Sequence, residues 1–100
     1  MEIRFLEIAE IEFIDAVDFY NQQSKGLGYE FAVEIKRTID RIQRHAQAWA
    51  PLSKRTRRCR TNRFPYGIIY SVLPDDVILI VAVMHMNRHP DSWKTRMKSA

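Results

Sequence analysis

One hundred residues, 46% of them hydrophobic and 28% charged, fit a single soluble globular domain over residues 1–100 with one modest core. No stretch approaches the run of about 20 apolar residues that a membrane span needs. The first residues enter an alternating pattern with no basic-then-apolar leader, so neither membrane segment nor signal peptide is expected, and the lone Cys59 fits the reducing cytoplasm. The net charge of +4 divides unevenly: residues 1–50 carry six Lys/Arg against nine Asp/Glu, and residues 51–100 carry ten against three. The second half therefore has its own positive field, suited to a phosphate backbone or an acidic partner.

Ile3 and Phe5 alternate with Glu2 and Arg4, which predicts a short first strand. Over residues 7–22 the period lengthens. Ala9, Phe13, Ala16, Val17 and Tyr20 share one helical face, with Glu10, Glu12, Asp15 and Asp18 mostly elsewhere. Ser24, Gly26 and Gly28 break this helix from a second, whose apolar stripe is Leu27, Phe31, Ile35, Ile39 and Ile42 and which Pro51 closes off. Residues 56–61 read as a short, mostly polar outer strand. Residues 66–73 and 77–85 read as a hairpin around Pro74-Asp75-Asp76, the second strand apolar on both faces and hence central and covered on both sides. Pro90-Asp91-Ser92 opens a short last helix carrying Trp93 and Arg96. The predicted order is β-α-α-β-β-β. The fold class is α+β, with an antiparallel helix hairpin on a small, mainly antiparallel sheet.

Three histidines and one cysteine lie scattered, with no metal-ligand spacing, so no metal or cofactor is expected. His85 and His89 are the side chains nearest the last strand that titrate near neutrality. His85 ends that strand, where a catalytic group would be held rigidly, although a strand-end histidine is more often a hydrogen-bonded structural residue. The run Lys54, Arg55, Arg57, Arg58, Arg60 and Arg63 contains no acid. It reads either as a solvated edge strand protected by charge or as a surface for nucleic acid or an acidic partner. Tyr66 and Tyr70 share strand parity, and core packing is the plainer reading for both. Trp93 and Arg96 sit three apart and would pin the tail to the sheet, with a cation–π contact between them. Cys59 alternates with arginines and faces the core.

Taken in order along nearly the whole chain, these residues resemble the RelE/ParE superfamily of type II toxin–antitoxin toxins. Ala9, Glu12, Ala16 and Phe19-Tyr20 match its first helix, and Gly26-Leu27-Gly28 with Phe31 its inter-helix turn. Phe64-Pro65-Tyr66 followed by Ile69-Tyr70 match its central hairpin, and residues 78–83 followed by His85, Arg88, Pro90 and Trp93 its last strand and tail. The resemblance implies a cytoplasmic toxin that stops growth when free, and is neutralised by a cognate antitoxin in a hetero-oligomer. The target is DNA gyrase in the ParE-like branch, or ribosome-bound mRNA in the RelE-like nucleases.

In those nucleases an arginine follows the tyrosine of the central strand; the matching position here is Gly67. Lysines of the preceding strand are replaced by Arg58 and Arg60, and arginine does not act as a base. The C-terminal aromatic is Trp93, which stacks but cannot exchange a proton. This favours the ParE-like branch, with a metal-free endoribonuclease and a non-toxic antitoxin-binding module as alternatives. The resemblance and the charge pattern nominate Lys54, Arg55, Arg57 and Arg58 for the antitoxin. Arg58, Arg60, Arg63, Tyr66, Arg88, Trp93 and Arg96 are nominated for the target, and His85 with Arg88 for catalysis should the chain cut RNA.

Overall fold

Ile3 and Phe5 lie on one side of β1 (Glu2–Phe5), and Leu6 turns the chain directly into α1 (Glu7–Gln23). The computed structural model describes residues 1–88 and 92–98. Gly26, at φ +85°, takes the left-handed conformation that opens α2 (Leu27–Arg44). Gly28 is required for a different reason. A Cβ there would collide with Val17 O and the Asn21 amide, and its N–H donates to Asn21 Oδ1 at 2.8 Å. The two helices therefore cross at backbone contact.

Four strands follow: β2 (Ala50–Pro51), β3 (Arg57–Arg60), β4 (Tyr66–Leu73) and β5 (Val77–His85), with a 3₁₀ helix at Lys94–Lys98. The sheet order is β1-β5-β4-β3-β2; β1 runs parallel to β5 and every other pairing is antiparallel. The α+β architecture is as the sequence predicts, with two corrections. Pro51 does not merely close the helical region, because Ala50 and Pro51 pair with Arg58 and Arg57 as an extra strand. The arginine strand is accordingly second from the edge, and a proline, which has no N–H to donate, occupies the edge itself. The predicted opening of the last helix at Pro90-Asp91 lies outside the described residues, as does His89.

The strands turn where local chemistry supplies the dihedrals. Asp75 and Asp76 adopt positive φ in the β4–β5 turn, a conformation that aspartate tolerates. Phe64 does so as well (φ 76°) before Pro65, at a cost on the order of 1–3 kcal/mol. Its ring is held against Tyr20 and Phe31, at centroid distances of 4.8 and 5.3 Å. Glu34 of α2 is buried; its carboxylate accepts the Arg63 N–H at 2.8 Å and fixes this turn.

Ile69 pairs with Ala82 and Tyr70 with Ile80, so Val81 is an extra residue, a bulge in β5. Ile68, Tyr70, Ile78, Ile80 and Val83 face the helices; Ile69, Leu79, Val81, Ala82 and Met84 face away. The away face is covered by Trp93, with Leu6, Leu52, Leu73 and Met97 packed around it. Among the described residues no helix is long and apolar enough to cross a membrane.

Candidate functional site

β1 stops at Phe5, whose pairing with Ile80 is the last along that edge, while β5 continues to His85. Side chains close the remaining edge. Val83 N–H donates to Glu12 Oε1 (3.1 Å), and Val81 O accepts from Arg96 Nη1 (3.0 Å). Arg96 holds Glu12 through both guanidinium nitrogens at 2.8 Å, a two-point, charge-assisted pairing. Arg88 Nη1 reaches the same carboxylate at 3.1 Å. The Glu12 and Arg96 side chains are only 10% and 8% exposed, whereas Arg88 is 53% exposed. Arg96, nominated for the target, is thus turned inward and fixes the tail to α1. The expected cation–π contact with Trp93 does not occur among the described contacts; Glu12 takes the guanidinium instead.

Beside this clasp, on the sheet face away from the helices, a cleft of about 130 Å³ opens between β3, β4 and the tail. Its cations are Arg58, Arg88 and Lys94, and its apolar walls include Leu52, Ile69, Met84, Met86 and Trp93, with His85 at the strand end. Gly67 forms part of its floor. A Cβ there would lie 3.1 Å from Met86 Sδ and 3.2 Å from the Arg58 stem, so both flexible side chains would have to give by a few tenths of an ångström to admit one. No carboxylate lines the cleft among the described residues. His85 Nδ1 accepts the Asn87 N–H at 3.1 Å. With Nδ1 as the acceptor, the neutral ring carries its hydrogen on Nε2, which is then a donor. The ring also lies edge-on to Tyr66 at 5.3 Å.

The other nominated residues disperse. Lys54, Arg55 and Arg57 line a separate cleft of about 260 Å³ with Ser71 and Val72, beyond the point where β3 leaves β4. Arg57 also anchors the preceding loop, donating to Trp49 O (2.8 Å) and Gln47 Oε1 (3.2 Å). Arg63 pairs with Glu30 on α2 at 2.7 Å. Arg60 is exposed and stands across from Gly67. Tyr66 packs edge-on against Phe31 at 4.9 Å, and burial pushes its hydroxyl up from the ordinary tyrosine range. Tyr70 is fully buried, donates to Ala46 O at 2.5 Å, and is pushed up to about 12, chiefly by burial. Cys59 is fully buried, and burial raises its thiol, which keeps it protonated and inert.

Met86 and Leu52 in the cleft wall, and Phe19, half exposed beside Tyr66, His85 and Arg88, are not among the site residues expected from the sequence. Met86 had a usable signal, an apolar residue one beyond the strand-end histidine. Leu52 had none, because its place in the wall follows from the β2–β3 pairing.

A family model described as "ParE toxin of type II toxin-antitoxin system, parDE" matches residues 3–90. Among solved structures, a chain from "Chromosomal ParDE TA system from P. aeruginosa" superposes with a TM-score of 0.67 at 12% identity, covering 87% of this chain and 97% of that one. No curated protein sequence matches.

Proposed function

The chain belongs to the family of ParE toxins of type II toxin–antitoxin systems, and from that premise we propose that it stops growth in the cytoplasm by binding DNA gyrase, until a cognate antitoxin neutralises it. The observation that carries the choice of binding over RNA cleavage is the cleft around Gly67. It offers guanidinium groups, an indole and thioether walls, and the one imidazole that lines it among the described residues has its Nδ1 accepting the Asn87 N–H. Metal-free cleavage of RNA needs a base for the 2′-hydroxyl and an acid for the leaving oxygen. A cleft of cations and apolar walls suits holding an acidic or aromatic surface of a protein target.

The antitoxin, in this reading, places an acidic segment in the cleft formed by Lys54, Arg55 and Arg57 and leaves a toxin–antitoxin hetero-oligomer. Inducing the chain in cells tests the mechanism. Gyrase action gives DNA breaks, SOS induction and filaments; codon-spaced mRNA cuts on primer extension would establish the nuclease instead, and unchanged growth would leave only an antitoxin-binding module. His85→Ala is expected to leave toxicity intact, whereas joint replacement of Arg58 and Arg88 by alanine is expected to reduce it.

A further inference from the structure

Helix α1 carries apolar residues on the side that the core does not use. Ile8, Ile11 and Ile14 are 46%, 48% and 48% exposed, and Phe19 is 52% exposed. The isoleucines are three apart, so each borders the next along the helix surface. Phe19, bordered by Asp15 and Ala16, stands apart from them on the shallow cleft it shares with Tyr66, His85 and Arg88. The three isoleucines together present roughly a few hundred Å² of apolar surface, the size of a monomer's largest patches, which are often functional.

The charges on α1 itself are of one sign. Between Glu7 and Gln23 there is no Lys, Arg or His. Glu7, Glu10, Asp15 and Asp18 are exposed, and none forms an ion pair or side-chain hydrogen bond with a described residue. Glu12, the remaining acid of the helix, is neutralised internally by Arg96 and Arg88. A second copy of α1 laid on this face would set acid against acid. The arginine-lined clefts carry the opposite sign and lie on the sheet, so a partner suited to them does not suit α1.

We propose that the outward face of α1 is a second docking surface, built for an amphipathic helix of a partner protein whose apolar stripe is flanked by lysine or arginine. The partner helix lays its stripe along Ile8, Ile11 and Ile14, while its cations meet Glu7, Glu10, Asp15 and Asp18. The surface is independent of the gyrase and antitoxin reading, and its loss would leave that reading untouched.

The test is fluorescence anisotropy of the full chain with two synthetic amphipathic helical peptides, one with leucines on one face and lysines on the other, and a twin with glutamates in place of lysines. The lysine peptide is expected to bind and to weaken with salt, and the glutamate twin is not. Ile11→Ser with Ile14→Ser, both at exposed positions and checked by thermal melting, is expected to weaken binding about tenfold or more. Asp15→Lys with Asp18→Lys is expected to transfer preference to the glutamate twin. Equal binding of both peptides, or undiminished lysine-peptide binding by the serine variant, overturns the proposal. So does a homodimer in sedimentation that the serine variant abolishes, which would make the occupant a second copy of this chain.

Discussion

The helix side of the sheet is closed by two long helices and an aromatic cluster in which Phe31 touches Phe13, Tyr20, Phe64 and Tyr66. The far side is closed by one indole, a few aliphatic side chains and a short 3₁₀ helix held to α1 through Glu12 and Arg96. Closure on the helix side is shared among many contacts. On the far side the buried Glu12–Arg96 pair is the charged link between the tail and α1, so a substitution there acts on the tail. The cleft around Gly67 lies on the same side, next to that pair.

The largest effect is expected from breaking that pair. Glu12→Ala leaves the Arg96 guanidinium buried without its counter-charge and costs about 3–5 kcal/mol, measured by urea unfolding. In a Trp49→Phe background, Trp93 emission shifts to the red before the helices melt. Adding Arg96→Met recovers part of the loss, because a buried charge no longer lacks a partner. A tail that stays put in Glu12→Ala would remove the contrast between the two sides.

The helix side is tested next by Gly28→Ala, which forces a methyl into Val17 O and the Asn21 amide and costs about 1–3 kcal/mol. Here the loss is global, with Trp93 emission unchanged until the main transition. Tyr70→Phe removes the hydrogen bond to Ala46 O and costs about 1 kcal/mol. The same residue gives a pH signature. Its folded value, near 12, is above the ordinary value of 10, so the fold favours the protonated hydroxyl. That contribution is fully present below pH 10 and is lost as pH rises from 10 to 12. Tyr70→Phe should flatten the stability profile in that window. The smallest effect is expected at Arg88→Ala. The guanidinium meets the same carboxylate as Arg96 but from solvent, and its loss costs less than about 1 kcal/mol. Arg96 and Arg88 thus form an internal comparison of a buried and an exposed partner for one acid.

Periodicity made the stripe of α2, the inner face of α1 and the hairpin around Pro74 legible, because each depends on neighbours within a turn or two of chain. The two-residue strand at Ala50–Pro51 was not legible, because no pattern fits in two residues and it exists only by pairing with Arg57 and Arg58. The bulge at Val81 was hidden for a related reason. In an all-apolar strand, both faces read alike, and only the partner strand reveals an extra residue. Exposed Ile8, Ile11, Ile14 and Phe19 were visible as letters, but an isoleucine on a helix is assigned to a core until the packing shows which face the core uses.

By itself the sequence determined the order of the elements, the inward faces and the basic second half. These are properties of composition and of spacing over a few residues. Only the tertiary structure decided which charges act at the surface. It sent Arg96 inward to a carboxylate 84 residues away, gave Arg63 to Glu30, and divided Lys54, Arg55 and Arg57 from Arg58 between two clefts. A charge run looks continuous along the chain, but alternate residues of a strand face opposite sides of the sheet. Whether each cation finds an acid there depends on what the fold brings to that side.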